Sequence, residues 1–350
     1  MYQGKGLSPE KPVAIWLFIG VGMIMVQVLL GGITRLTGSG LSITEWQPLL
    51  GTIPPLNDSQ WNEAFEKYKA IGQYKQINFY YKLEDFKYIY FWEWMHRLWA
   101  RLIAIVFAIP FIYFLLKGYF RRSMVFPLLM LFVLGAVQGL LGWIMVKSGL
   151  NAENIYVSHF RLAIHFMAAL GLLAYVLWFA LRLRIPDTLR FHAPRMRRLS
   201  LFILFILLVQ LVFGAFMAGL KAAVAAPTWP TINGEWIPSI SGSGWSGDPI
   251  AVHFIHRGLA YLLVILVIYW WVQMRRQDVS DFFRGLIPVP VLLIGIQLTL
   301  GIVTVLYSTR PDLLLWFGAL HQFTAMLFLA CWVMVIYLLP GQPVATRVSA

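Results

Sequence analysis

Charge is scarce in this chain. Of its 350 residues, 12% are Asp, Glu, Lys or Arg, where a soluble domain carries about 25%. That leaves little room for a soluble domain. Cysteine is scarcer still. The single Cys331 sits within an apolar run, which excludes an intrachain disulfide and a thiolate metal cage. The first apolar run lacks a small-residue cleavage site, so it is expected to remain as a helix and not as a cleaved signal peptide. Acidic residues are outnumbered, and the formal net charge is +13. In a soluble protein that excess would point to nucleic acid. Here the basic residues cluster in short loops between apolar runs, which is the positive-inside pattern, and no nucleic-acid partner is expected.

What the chain has is apolar length. Hydrophobic residues make up 59% of it, and the mean hydropathy is +0.71. A bilayer core takes roughly 20 apolar residues per helix. Eight runs qualify, at 13–33, 89–116, 124–146, 161–181, 199–220, 253–273, 286–307 and 316–339. The expected fold is an all-α polytopic membrane protein. The loops KGYFRRS (117–123), RLRIPDTLRFHAPRMRR (182–198) and MRRQDVSDFFR (274–284) are basic. They alternate with short loops holding one basic residue each, Lys147, Lys221 and Arg310. This places both termini in the cytoplasm and the long loop 34–88 outside. Within that loop, Trp61, Phe65, Tyr68 and Ile71 recur at helical spacing, the pattern of an amphipathic helix on the outer membrane surface.

The chain also repeats itself. Gln27 and Gly31 of the first run align with Gln210 and Gly214 of the fifth at an offset of 183, as do Trp46 with Trp229 and Gly51 with Gly234. QGLLG (138–142) matches QLTLG (297–301) at 159, and EWMHR (93–97) matches HFIHR (253–257) at 160. AIHFMAAL matches ALHQFTAM at 156. The expected architecture is two pseudo-symmetric, parallel four-helix bundles, 1–185 and 190–350, related by an axis along the membrane normal. Every odd run carries Q-x-x-x-G, read as a glycine for close packing and a glutamine bonding across helices.

Four of the seven histidines hold matching places in this repeat: His96, His165, His256 and His321. Each lies one or two turns into an even-numbered run, toward the outer face. Two facing imidazoles suit a six-coordinate haem iron, and bundle cores are a usual site for one. One haem per half is expected. His192 falls in a basic loop, and His159 lies on a different helical face from His165. Arg97 and Arg257 follow aligned histidines, and Arg161 precedes His165 by one turn. All three are candidates to bind haem propionates. Glu93 stands one turn before His96, where the second half has His253. An intramembrane carboxylate in one half alone points to chemistry there and an auxiliary cofactor in the other. Three rivals share parts of this pattern: a bis-histidine haem b electron-transfer subunit, a di-iron oxidase and a proton-coupled transporter. The histidines are too scattered for the second. The inner halves of the spans carry too few polar residues for the third.

The segments GGITRLTGSGLSITEWQPLLGTIPP (31–55), FWEWMHRLWAR (91–101), RLAIH (161–165), APTWPTINGEW (226–236), IHR (255–257) and LHQ (320–322) resemble haem A synthase, in the form found in mitochondria and many Gram-negative bacteria. The resemblance covers nearly the whole chain. It implies a multi-pass protein of the cell inner membrane that oxidises the C8 methyl of haem o to a formyl group. The route would pass through an alcohol and a hydrated aldehyde, with oxygen taken from water. By that resemblance His96 and His165 flank the substrate haem o, His256 and His321 ligate a haem b cofactor, and Glu93 is catalytic. The implied partners are an electron acceptor of unknown identity, the haem o-forming farnesyltransferase, oxidase assembly factors, membrane lipid and a second copy of the chain. Some bacterial members carry a cysteine pair in outer loops. This chain has none, so no mechanism that needs those thiols operates here.

Overall fold

The computed structural model describes residues 10–45, 50–151, 154–240 and 244–342. Twelve α-helices form among them: α1 (Glu10–Leu36), α2 (Asp58–Lys69), α3 (Leu83–Leu116), α4 (Arg122–Lys147), α5 (His159–Arg184), α6 (Pro194–Gly219), α7 (Ala222–Ala225), α8 (Gly244–Gly247), α9 (Pro249–Met274), α10 (Asp281–Leu286), α11 (Val289–Leu306) and α12 (Pro311–Leu338). One isolated bridge, Ile232 to Glu235, is the extended pairing recorded among the described residues. Eight stretches are long and apolar enough to cross a membrane: α1, α3, α4, α5, α6, α9, α10 with α11, and α12. The chain is an all-α, multi-pass membrane protein. Its outward apolar side chains fit that medium. Phe126 is 71% exposed and Ile265 64%, positions that water would penalise and lipid does not.

The helices outrun the apolar runs because polar caps extend them. α3 starts at Leu83 and not near 89. The Asp85 carboxylate accepts from the Lys82 N–H at 2.9 Å, satisfying a donor that the helix leaves unpaired. α9 starts at Pro249, with Asp248 Oδ1 accepting from the N–H groups of Ile250 (2.7 Å) and Ala251 (3.2 Å). α1 ends at a glycine. Gly38 sits at φ +69, and Ser39 N–H reaches back to Thr34 O at 2.8 Å, the closure of a left-handed C-terminal turn.

The amphipathic helix exists as α2, but it does not lie on lipid. Its apolar side packs on the early turns of α3. Phe65 and Tyr68 stack on Phe86 at centroid distances of 5.1 and 5.3 Å, and Leu41 and Ile89 complete the cluster. Protein covers this face because the extension of α3 rises beside it. Tyr68 is fully buried, and burial raises its phenol above the ordinary range.

Some helix pairings recur at the repeat offset: α1 packs on α3 and α6 on α9, α4 on α5 and α11 on α12. α1 lies far more closely against α5 than α6 does against α12. α5–α6, α1–α12 and α5–α12 join the two sets. A continuous core runs through both, with Leu17, Leu173, Val176, Trp270, Trp332 and Leu338 at its centre. Ser200 ties three helices there: its Oγ accepts from Trp270 Nε1 and its carbonyl from Trp332 Nε1, each at 2.9 Å. A second pairing differs as well. α9 packs along α11, whereas α3 and α4 have no comparable contact along their length. They meet near the basic-loop end, where Phe111 and Phe132 stand 5.1 Å apart. On α4 the exposed Gly135 occupies the place of the buried Ile294 on α11. The first set of helices is therefore the more open on this flank.

Candidate functional site

The four repeated histidines come together as two pairs. His256 and His321 have ring centroids 6.5 Å apart at an interplanar angle of 70°. His96 and His165 are close enough to interact electrostatically. His96 is more than three turns into α3, not one or two, because α3 begins early. Counted from the other end, the four lie 20, 19, 18 and 17 residues before the last residue of their helices. At 1.5 Å per residue their distances from those helix ends agree to within about 5 Å.

Each histidine is seated on the helix before it. A methyl group at Gly31 would stand 3.1 Å from His96 Nε2. At Gly142, Gly214 and Gly301 it would stand 2.9, 3.4 and 3.0 Å from Cε1 of His165, His256 and His321. The glycine of Q-x-x-x-G thus admits an imidazole and not merely a neighbouring backbone. The glutamine one turn earlier reaches the same ring in three cases. Gln138 Nε2 lies 3.2 Å from His165 Nδ1, Gln210 Nε2 3.4 Å from His256 Nε2, and Gln297 Nε2 3.2 Å from His321 Nε2. The expectation that these glutamines bond across helices holds for those three. Among the described residues Gln27 makes no such bond.

The arginines after the aligned histidines are committed to loops. Arg97 donates to Ile43 O (2.8 Å) and Glu45 O (2.9 Å) and pairs with Glu93 Oε1 at 2.5 Å. Arg257 donates to Thr228 O (2.5 Å), Thr231 O (3.1 Å) and Pro230 O (3.2 Å). Its Nε also donates to His253 Nε2 at 3.0 Å. Arg161 donates to Ile144 O at 3.0 Å. In both halves an arginine on the histidine helix clamps the loop that follows the preceding odd span. Glu93 and His253 do one job: each engages that arginine from one turn earlier. In the sequence His253 figures only as the residue opposite Glu93, and that alignment beside an aligned arginine is the signal of its role.

Glu93 is 3% exposed and fully engaged. Its Oε2 accepts from Ser42 Oγ (2.7 Å) and from the Ile43 N–H (2.8 Å), while Oε1 holds Arg97. The TRLTGSGLS segment is thereby joined to EWMHR. Trp46 and Pro48, part of the motif that follows it, lie outside the described residues. His159 packs edge-on against Phe216, at 5.4 Å, and His192 is exposed. Among the described residues no cluster of three or more His, Cys, Asp or Glu side chains is placed to hold a metal ion.

Two histidine pairs stand on glycine seats, and one histidine helix of each pair carries an arginine that clamps a loop. Residues 14–333 match the COX15-CtaA family, described as Cytochrome oxidase assembly protein. The chain belongs to this family. It is similar to the Heme A synthase of Flavobacterium psychrophilum, 38% identical over 335 residues that cover 93% of this chain and 97% of that one. The Nitrosospira multiformis Heme A synthase is 39% identical over 335 residues, 93% of each chain. That of Rhodopseudomonas palustris CGA009 is 42% identical over 332 residues, 92% of this chain and 87% of the other.

Proposed function

We propose that this protein is a haem A synthase that oxidises the C8 methyl of haem o to a formyl group. The conversion of a methyl group and one water into a formyl group releases four protons and four electrons. The observation that carries the reading is the two histidine pairs at matching distances from the ends of their helices. An iron between two imidazoles holds each nitrogen at roughly 2 Å, which sets the ring centres roughly 6 Å apart; the His256–His321 separation of 6.5 Å fits this. His256 Nδ1 is buried without a partner, a free nitrogen of the kind an iron takes. On this reading His256 and His321 hold haem b, which supplies a one-electron relay when bound.

His96 and His165 then flank the substrate. The open flank between α3 and α4 supports that division, because a substrate must enter and leave while a resident cofactor stays. Glu93, one turn from His96, is the catalytic carboxylate and accepts protons released from the methyl carbon. Its partners Arg97, Ser42 and Ile43 keep the first loop closed above the site. Arg97 and Arg257, already on loop carbonyls, present their remaining N–H edges to propionates, and Arg161 does so from α5. Both termini lie in the cytoplasm and the haem sites toward the outer face of the inner membrane. The electrons pass to an acceptor outside the chain. Haem o arrives from the farnesyltransferase that forms it, and haem a leaves toward oxidase assembly factors.

The first test is chromatography of haems extracted from protein purified from a host that supplies haem o. Haem b together with haem a or its hydroxylated precursor is the expected result. Haem b alone would make the chain an electron-transfer subunit, and no haem would end the histidine argument. The seats supply a second test. Gly301→Ala forces His321 aside, since its methyl would meet the ring at 3.0 Å, whereas Gly214→Ala makes an ordinary 3.4 Å contact. Retention of the second-half haem is expected to fall about tenfold in G301A and to stay unchanged in G214A. Haem-to-protein ratios after detergent washing will show whether the two differ.

A further inference from the structure

The four glutamines of the repeat share a feature that helix packing does not explain. Gln27, Gln138, Gln210 and Gln297 each have a buried side-chain oxygen with no hydrogen-bond partner among the described residues. Burying a polar atom without a partner is costly. It happens four times, at one register, and in three cases the same amide touches the imidazole of a repeated histidine. The remaining ring nitrogens differ in a telling way. Gln138 takes His165 at Nδ1, leaving Nε2 clear. Gln210 takes His256 at Nε2, and Nδ1 has no partner. His321 is held at both nitrogens by Gln297: Nδ1 lies 3.1 Å from the backbone carbonyl and Nε2 3.2 Å from the amide.

We infer that Gln138, Gln210 and Gln297 are positioning residues that set the plane and tautomer of the iron-binding histidines. An imidazole that gives one nitrogen to iron keeps its proton on the other, and the bond made by that other nitrogen decides which is which. For His256, a half-turn of the Gln210 amide exchanges its two ends and brings the unspent oxygen against the ring. Gln138 is fixed as it stands, because its Nε2 also donates to the His165 carbonyl at 3.0 Å. For His321 the backbone carbonyl of Gln297 already receives that proton, and the side-chain amide covers the nitrogen left for iron. An N–H that donates to a carbonyl makes the ring a stronger electron donor, and so favours the oxidised iron. Gln27 stands in the same register without reaching His96. The first-half pair is therefore anchored at one histidine, and the second-half pair at both.

This rests on the reading of His256 and His321 as haem ligands. The test uses full-length protein purified with its haem. It compares wild type with Gln210→Leu, Gln210→Glu and Gln27→Leu. The readouts are the reduction potential of the second-half haem, its low-spin electron paramagnetic resonance signal and the rate of haem transfer to apomyoglobin. Q210L is expected to raise the potential, shift the low-spin signal and speed haem loss about tenfold or more. Q210E keeps an acceptor with added negative charge. It should retain haem and lower the potential, which a role in filling space does not predict. Q27L should leave the second-half signals where they are. The inference is overturned if Q210L leaves potential and signal unmoved, or if Q210E shifts them in the same direction as Q210L. Should Q210L fail to accumulate, the sign of the Q210E shift decides alone. A wild-type protein whose haem lacks a bis-histidine signal would sink the ligand reading itself, and is told apart from failure of this inference by that control.

Discussion

His256→Ala and His321→Ala should each cut second-half haem retention by at least about 100-fold, since loss of a mere supporting contact already costs 10–100-fold. Protein that keeps some haem should show a five-coordinate, high-spin spectrum, because the remaining histidine still has its glutamine and glycine seat. His96→Ala and His165→Ala should behave differently. They should abolish haem a formation while the second-half haem keeps its low-spin spectrum. That split is the main content of a two-site reading, because the four histidines lie at matching distances from their helix ends and share one kind of seat. The fold should survive all four changes. The buried apolar core closes on Leu173, Val176 and Trp332, away from the rings. Optical spectra, haem-to-protein ratios and haem a content measure the outcome. A normal low-spin spectrum in both H256A and H321A would remove these residues from the ligand set. Loss of the second-half haem in H96A would show that the halves do not hold separate groups.

Glu93→Gln should lower haem a formation by about 100-fold or more, the range that a proton acceptor contributes. The amide keeps an oxygen for Ser42 Oγ and the Ile43 N–H. It loses the charge that faces Arg97, though Arg97 retains the carbonyls of Ile43 and Glu45. The loop should therefore stay in place while the base is gone. Glu93→Ala removes both. It leaves the Ile43 N–H without its acceptor and the Arg97 charge without its counter-charge. It should cost about 3 kcal/mol of stability, the low end for a broken buried pair, because Arg97 remains 20% exposed. Thermal inactivation in detergent separates the two variants. Full haem a production by E93Q with normal expression would exclude the proton-acceptor role and leave Glu93 as an anchor for residues 42–45. The structure makes that contrast sharp, since every contact of this carboxylate is to the loop or to Arg97.

The parts legible in the sequence were those carried by local pattern. Eight apolar runs became eight spanning helices, because in lipid each backbone polar group must be satisfied within its own segment. The registers of His96, His165, His256 and His321 emerged from offsets alone, since a repeated unit places repeated residues at one depth. Helix ends were less legible, because Asp85 and Asp248 extend α3 and α9 by capping, beyond the apolar stretch that hydropathy detects. The face of α2 read as amphipathic but gave no sign of its partner. Either lipid or the protruding turns of α3 would cover it, and only the extra length of α3 decides.

What only the tertiary structure decided is how the polar residues share the site. Arg97 and Arg257 read as propionate ligands, and in the structure they clamp loop carbonyls. Glu93 and His253 look like unlike residues and take the same position beside an arginine. Q-x-x-x-G reads as a packing motif and is a seat for an imidazole. Periodicity reports which face of its own helix a residue occupies. Which atom of another helix meets it depends on crossing and depth, and here those contacts join residues 20 to 65 positions apart in the chain.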